Sequence, residues 1–147
     1  MFQQMLLDSN KAVWVMAQHY QHEGRQVTVF PQFCAPTVEQ AADYVDNGDL
    51  YIGTRAEVRH IQHDFTSYQD FPYEFVIVGN KIYDDNARPK PFVYNIVNRK
   101  MTHFAKIFGA TRPHWIVMEV CDRRNTLRDV YFCPREHVTF HEIHTTR

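Results

Sequence analysis

The sequence predicts an α/β fold with a mixed central β-sheet flanked by helices, formed by a single domain over residues 1–147. Two observations predict it. Segments with helical spacing of apolar residues alternate with short β-branched or alternating segments. Apolar residues make up 44% of the chain and aromatic residues 14%, which is enough to form a hydrophobic core in one domain of this length.

The first third of the chain predicts helix, strand and helix. A helix over 9–23 has Ser9 as its cap and apolar residues at helical spacing, and Gly24 ends it. The β-branched stretch 26–30 predicts a strand that Pro31 ends. A second helix is predicted over 36–45.

The rest of the chain predicts mainly strands. The run 75–78 is entirely apolar, as in a buried central strand, and Gly79 with Asn80 predicts a turn after it. Residues 83–91 predict a loop, and 101–108 predict a short helix that Gly109 ends. The remaining strands are predicted over 49–52, 55–61, 92–97, 115–120, 127–132 and 138–140, with a turn at 122–125.

Composition and missing motifs narrow the classes of protein. Sixteen basic and seventeen acidic residues give a net charge of −1, so the chain is not a polycation. Three widely spaced cysteines predict neither a disulfide framework nor a zinc site. We expect no nucleotide cofactor because the chain has no phosphate-binding glycine motif. The first residues do not predict a signal peptide, and no apolar run reaches ~18 residues, so we expect no membrane span and a cytoplasmic location.

The stretch 48–62 contains the main candidates for catalytic and metal-binding residues. It predicts a hairpin with Asp49 on the first strand, and with Glu57 and Arg59 on the second strand. Because side chains alternate along a strand, Glu57 and Arg59 point to the same face. Paired carboxylates suit Mg²⁺, which prefers oxygen ligands. An exposed hairpin edge with solvated charges is the simpler interpretation of the same residues.

This hairpin resembles the signature of the PD-(D/E)xK, or restriction-endonuclease-like, nuclease superfamily, with arginine in place of the motif lysine. The resemblance implies a restriction-endonuclease-like fold and a Mg²⁺- or Mn²⁺-dependent DNA nuclease. Asp49, Glu57 and the Val58 carbonyl would hold the metal, and Asp49, Glu57, Arg59 and Gln62 would be the catalytic residues. DNA would be the partner, and a homodimer would allow both strands to be cut. Segments farther along, such as 94–99 and 131–134, are similar to small phage members, which implies host cytoplasm for a phage-encoded protein.

The arginine leaves a second function open. A guanidinium stays protonated and cannot accept a proton, but it binds phosphate through two parallel hydrogen bonds. The alternative is therefore a catalytically inactive nuclease-fold phage protein that binds nucleic acid or a protein partner.

A second group of polar residues lies at the predicted junction between strand 92–97 and helix 101–108. Backbone N–H groups at a helix start bind phosphate well. We therefore expect a nucleic-acid contact formed by Asn98, Arg99, Lys100 and Thr102. A capped helix with basic surface residues explains the same pattern equally well.

Overall fold

The structure is a computed structural model that describes residues 2–30, 49–122 and 124–145. The α-helices within these residues are α1 (Phe2–His22) and α2 (Lys81–Asn86). Two 3₁₀ turns follow, Gly109–His114 and Arg135–His137. The strands are β1 (Thr28–Val29), β2 (Leu50–Tyr51), β3 (Arg55–His60), β4 (Phe75–Asn80), β5 (Val93–Val97), β6 (His103–Phe108), β7 (Ile116–Cys121), β8 (Leu127–Pro134) and β9 (Thr139–Glu142).

The described strands form two sheets. The larger is six-stranded and mixed, with the order β1-β2-β3-β5-β6-β9. Only its β3–β5 pair is parallel, and its other neighbours are antiparallel. The smaller sheet is antiparallel, with the order β4-β8-β7.

The core has one part on each face of the larger sheet. On one face, α1 packs residues such as Met16 and Tyr20 against Ala56, Val97 and Phe104. The smaller sheet covers the other face, where the packed residues include Val76, Ile96, Ala105, Ile107 and Cys133. The mixed central sheet of an α/β protein is confirmed, but a second sheet covers the face on which a helix was predicted.

Helix α1 ends as predicted and begins earlier. Gly24 has φ +84°, and its N–H donates to Gln21 O while the Arg25 N–H donates to Tyr20 O. These two bonds form a Schellman cap, which satisfies the last carbonyls of the helix. Ser9 does not cap the helix as predicted, because the preceding residues are good helix formers and α1 already starts at Phe2.

The predicted helix over 101–108 is wrong, because that segment forms β6. Phe104 and Lys106 point towards α1, and Ala105 and Ile107 point towards the smaller sheet, as expected for a strand between β5 and β9. A short apolar run satisfies either period locally, and long-range pairing decides the outcome.

Two smaller predictions around β4 also fail. The loop predicted over 83–91 begins inside α2, because the Asn80 side chain accepts a hydrogen bond from Ile82 N and caps that helix. The run 75–78 is largely buried, but β4 lies at an edge of the smaller sheet, and Gly79 and Asn80 belong to the strand rather than to a turn. The helix predicted over 36–45 lies outside the described residues.

Candidate charge cluster and basic recess

The β2–β3 hairpin forms as predicted and places Asp49 beside β3. Gly53 takes φ +89° in the turn, where Ile52 N donates to Thr54 O at 3.0 Å. Leu50 pairs with Ala56, so Asp49 lies just before β2, next to the middle of β3. The Val58 N–H donates to Asp49 Oδ2 at 2.6 Å, which fixes the carboxylate at that edge of the strand.

Glu57 is already paired with a cation of its own strand. Arg55 Nε lies 2.7 Å from Glu57 Oε1, and the two side chains are 10% and 26% exposed. Residues 55, 57 and 59 follow each other at a period of two, so their side chains share the face of the sheet opposite α1. Arg55 was not predicted as a site residue, although this alternation in the sequence would have indicated it.

The guanidinium of Arg59 interacts electrostatically with the carboxylates of Asp49 and Glu57. Burial lowers the pKa of its guanidinium, while the charges of Asp49 and Glu57 act in the opposite direction. Arg59 as a whole is exposed to solvent, so its guanidinium is crowded by neighbouring protein atoms without lying in the dry core. Arg59 Nη2 is 3.4 Å from the position that a Cβ on Gly79 would occupy, so the guanidinium lies against the backbone of β4.

We call Asp49, Arg55, Glu57 and Arg59 the charge cluster. It brings together three of the predicted catalytic residues and adds one. Two carboxylates and two guanidiniums give the cluster a net charge of zero.

The oxygen atoms of the charge cluster are suitable ligands for a divalent metal, but its two positive charges oppose the binding of a further cation. Mg²⁺ is commonly held by one or two carboxylates together with substrate phosphates. Asp49 and Glu57 supply that number, and the Val58 carbonyl points to the same edge as its N–H. The two guanidiniums oppose a further cation, however, since like charges repel strongly in partly buried surroundings. Among the described residues, no group of three or more His, Cys, Asp or Glu could hold a metal ion.

A second polar network lies next to the charge cluster on the same face. Tyr94 pairs with Glu57 across the β3–β5 ladder, and its hydroxyl donates to Asp84 Oδ1. Arg112 forms an ion pair with Asp84 and stacks over Trp115, with 4.6 Å between guanidinium and ring centroid. Burial raises the pKa of Tyr94. The network ties α2 to the larger sheet and to the turn before β7.

Gln62 does not join the other predicted catalytic residues. It is exposed beyond the end of β3 and lines a recess of about 450 Å³ between α1 and the turn that joins β5 to β6. We call this the basic recess. Its polar lining includes Lys11, Gln18, His60, Gln62, Arg99 and Lys100.

The predicted nucleic-acid contact lies on a hairpin turn, not at a helix start. The side chain of Asn98 is buried and bonds within the turn, accepting from Thr102 N at 2.9 Å and donating to Phe65 O and Thr102 Oγ1 at 3.0 Å. Asn98 and Thr102 therefore shape the turn. Arg99 and Lys100 are exposed and line the basic recess. Lys11, Gln18 and His60, which also line the recess, were not predicted as part of this contact.

Comparisons of the chain with protein-family models, with curated proteins and with solved structures gave no match. Within the described part of the chain, no helix is long and apolar enough to cross a membrane. What the protein does is therefore inferred from its own residues.

Proposed function

We propose that this protein binds nucleic acid without cutting it, on a nuclease-like hairpin in which arginines stand where a catalytic metal would otherwise balance the carboxylates. The observation that carries this proposal is the charge cluster. Arg55 Nε lies 2.7 Å from Glu57 Oε1, and the guanidinium of Arg59 is attracted electrostatically to both Asp49 and Glu57. The resemblance to the PD-(D/E)xK superfamily, including its fold, forms part of the proposal.

The proposed contact with nucleic acid is made by Arg59. A guanidinium offers two parallel N–H donors to a phosphate, and part of the Arg59 side chain is open to solvent. Because it stays protonated, it cannot take a proton from an attacking water. Arg59 therefore favours phosphate binding over hydrolysis.

An active nuclease is the second candidate function. Asp49 and the Val58 carbonyl lie at one edge of β3, and Glu57 lies on the adjoining face of the strand; together they are the donor set expected for Mg²⁺ or Mn²⁺. These residues would hold the ion, which when bound would supply an activated water and polarise a phosphodiester. Binding would require Arg55 to release Glu57.

Binding and cleavage of DNA separate the two candidates. Wild type, Arg59→Gln, Arg59→Lys and Glu57→Ala are compared on single-stranded oligonucleotides and plasmid, with Mg²⁺ or Mn²⁺ and at one salt concentration. We expect wild type to bind without cutting, and Arg59→Gln to bind more weakly. Arg25→Gln, which removes a cation from the far end of α1, is the matched control.

Three outcomes would change the proposal. Metal-dependent cutting by wild type that is lost in Glu57→Ala would replace it with the nuclease function. Cutting that appears only in Arg59→Lys would support it and identify Arg59 as the residue that silences the scaffold. Absence of DNA binding by wild type would overturn both candidates.

A further inference from the structure

The basic recess lies on the opposite face of the larger sheet from Glu57 and Arg59. His60 follows Ala56 and Val58 on the face that α1 covers, whereas Glu57 and Arg59 point to the smaller sheet. Lys11 and Gln18 line it from α1, and Arg99 and Lys100 line it from the β5–β6 turn. The recess is therefore a separate site from the charge cluster.

Cations outnumber carboxylates in this lining. Lys11, Arg99 and Lys100 are opposed within it by Asp8. Outside the lining, Asp64 accepts from Arg99 Nη2 at 2.9 Å and from Arg99 Nε at 3.2 Å. A guanidinium has five N–H donors, so this pairing orients Arg99 and uses two of its three nitrogens.

The wall that carries Arg99 and Lys100 is held in place before any ligand arrives. Asp64 also accepts from Lys100 N at 3.1 Å, and the buried Asn98 side chain closes the turn from inside. His60 Nε2 lies 3.1 Å from the carbonyl of Arg99. Since a carbonyl only accepts, His60 donates from Nε2 and ties the turn to β3. A fixed set of cations binds an anion with little loss of conformational entropy.

The size and mixed chemistry of the recess indicate more than a bare anion. Its volume of about 450 Å³ falls within the usual range of small-molecule sites. The side-chain amides of Gln18 and Gln62 offer both donors and acceptors, and Val15 and Met101 add apolar surface. The cations suit a phosphate, and the amides and apolar groups beside them suit a small organic group attached to that phosphate.

We propose that the basic recess binds a phosphate monoester of nucleotide size. Lys11, Arg99 and Lys100 hold the phosphate, and Gln18 and Gln62 contact the attached group. This inference rests on the lining of the recess and does not depend on the proposed function of the charge cluster.

Calorimetric titration of the full chain tests this proposal. The probes are thymidine 5′-monophosphate, thymidine and inorganic phosphate. We expect the monophosphate to bind, thymidine not to bind, and inorganic phosphate to bind more weakly than the ester. Lys11→Gln and Lys100→Gln should each weaken binding of the ester about tenfold, which corresponds to losing one charge-assisted contact. Arg25→Gln, the matched control outside the recess, should leave the affinity unchanged.

Several results would overturn the proposal. Failure of both phosphate probes to bind wild type would remove the site, as would affinities that are unchanged in Lys11→Gln and Lys100→Gln. Equal affinity for inorganic phosphate and the ester would remove the contact with an organic group. Circular dichroism of each variant serves as the control for folding. DNA binding and cleavage are measured separately, so this site can fail without the proposed function failing.

Discussion

The two polar regions beside β3 use their charges in opposite ways. The charge cluster matches two carboxylates with two guanidiniums, and three of its four residues are buried or half-buried. The basic recess exposes three cations against one carboxylate in its lining. Partly buried charges that already have partners are costly to disturb, whereas exposed cations contribute little to stability and remain open to an external anion. In the first region the charges of Arg55 and Glu57 thus stabilise each other and Arg59 alone is proposed to contact an external phosphate, whereas in the second region three cations face the ligand.

Loss of Glu57 should have the largest effect on stability. Glu57→Ala removes the carboxylate that lies 2.7 Å from Nε of Arg55, whose side chain is only 10% exposed. Removing one member of a buried ion pair costs about 3 kcal/mol in unfolding free energy. Urea denaturation measures the loss. Glu142→Ala, on the exposed end of β9, should change stability by less than about 0.5 kcal/mol. Equal effects of the two substitutions would show that the charge cluster does not stabilise the fold.

Loss of Asn98 should have the next largest effect, because the recess rests on a buried polar turn. Asn98→Ala leaves the carbonyl of Phe65 and the N–H of Thr102 without their side-chain partner. We expect a loss of about 2 kcal/mol, from hydrogen-bonding groups left unsatisfied. The same variant should weaken binding of the monophosphate, because the wall with Arg99 and Lys100 loosens. Retention of wild-type stability would contradict this role of the turn.

Acid should destabilise the C-terminal segment beside the recess. His144 N donates to Nδ1 of the buried His19, and Thr145 lines the recess. Burial is the main cause that lowers the pKa of His19 below 6.5. Lys106 and His144 lower it further, and Glu23 opposes them.

The pKa of His19 in the folded protein lies below its pKa in the unfolded chain. The contribution of neutral His19 to stability is therefore complete above pH 6.5 and is lost as the pH falls. Denaturation at pH 7.5 and 5.5 should show lower stability at the acid pH. His19→Asn, which keeps an acceptor but does not titrate in this range, should reduce the difference. An unchanged pH dependence in that variant would contradict the role of His19. His141, whose pKa burial also lowers, accounts for a remaining part.

Substitution in the recess should have the smallest effect on stability. Lys100 is exposed, so Lys100→Gln should change the free energy of unfolding by less than about 0.5 kcal/mol. Urea denaturation of this variant beside Glu57→Ala compares the two regions directly. A cost near that of Glu57→Ala would show that the recess, too, stabilises the fold.

The sequence predicts the hairpin well because its signals are local. Asp49, Gly53 and the alternation of Glu57 with Arg59 each act within a few residues, and the structure forms the hairpin from them. Alternation also places Gln62 away from Glu57, which the resemblance alone does not indicate. The second sheet and β6 depend on pairing between distant residues, and short apolar runs do not encode that pairing.

The basic recess could be predicted only in part. Arg99 and Lys100 stand out as neighbouring cations, but Lys11 lies about ninety residues earlier and joins them only through the packing of α1. The pairing of Arg55 with Glu57 could have been predicted, because alternation places both side chains on the same face of β3. The strength of that pairing depends on burial, which the sequence does not show.

Titration with Mn²⁺ tests most directly the central claim that arginines balance the carboxylates of the charge cluster. Four proteins are compared by calorimetry: wild type, Glu57→Ala, Arg55→Met, and the double variant that combines Arg55→Met with Glu57→Ala. We expect no Glu57-dependent binding of Mn²⁺ in wild type. Binding should appear in Arg55→Met and be lost in the double variant. Mn²⁺ binding by wild type that Glu57→Ala abolishes would contradict the claim and favour an active nuclease.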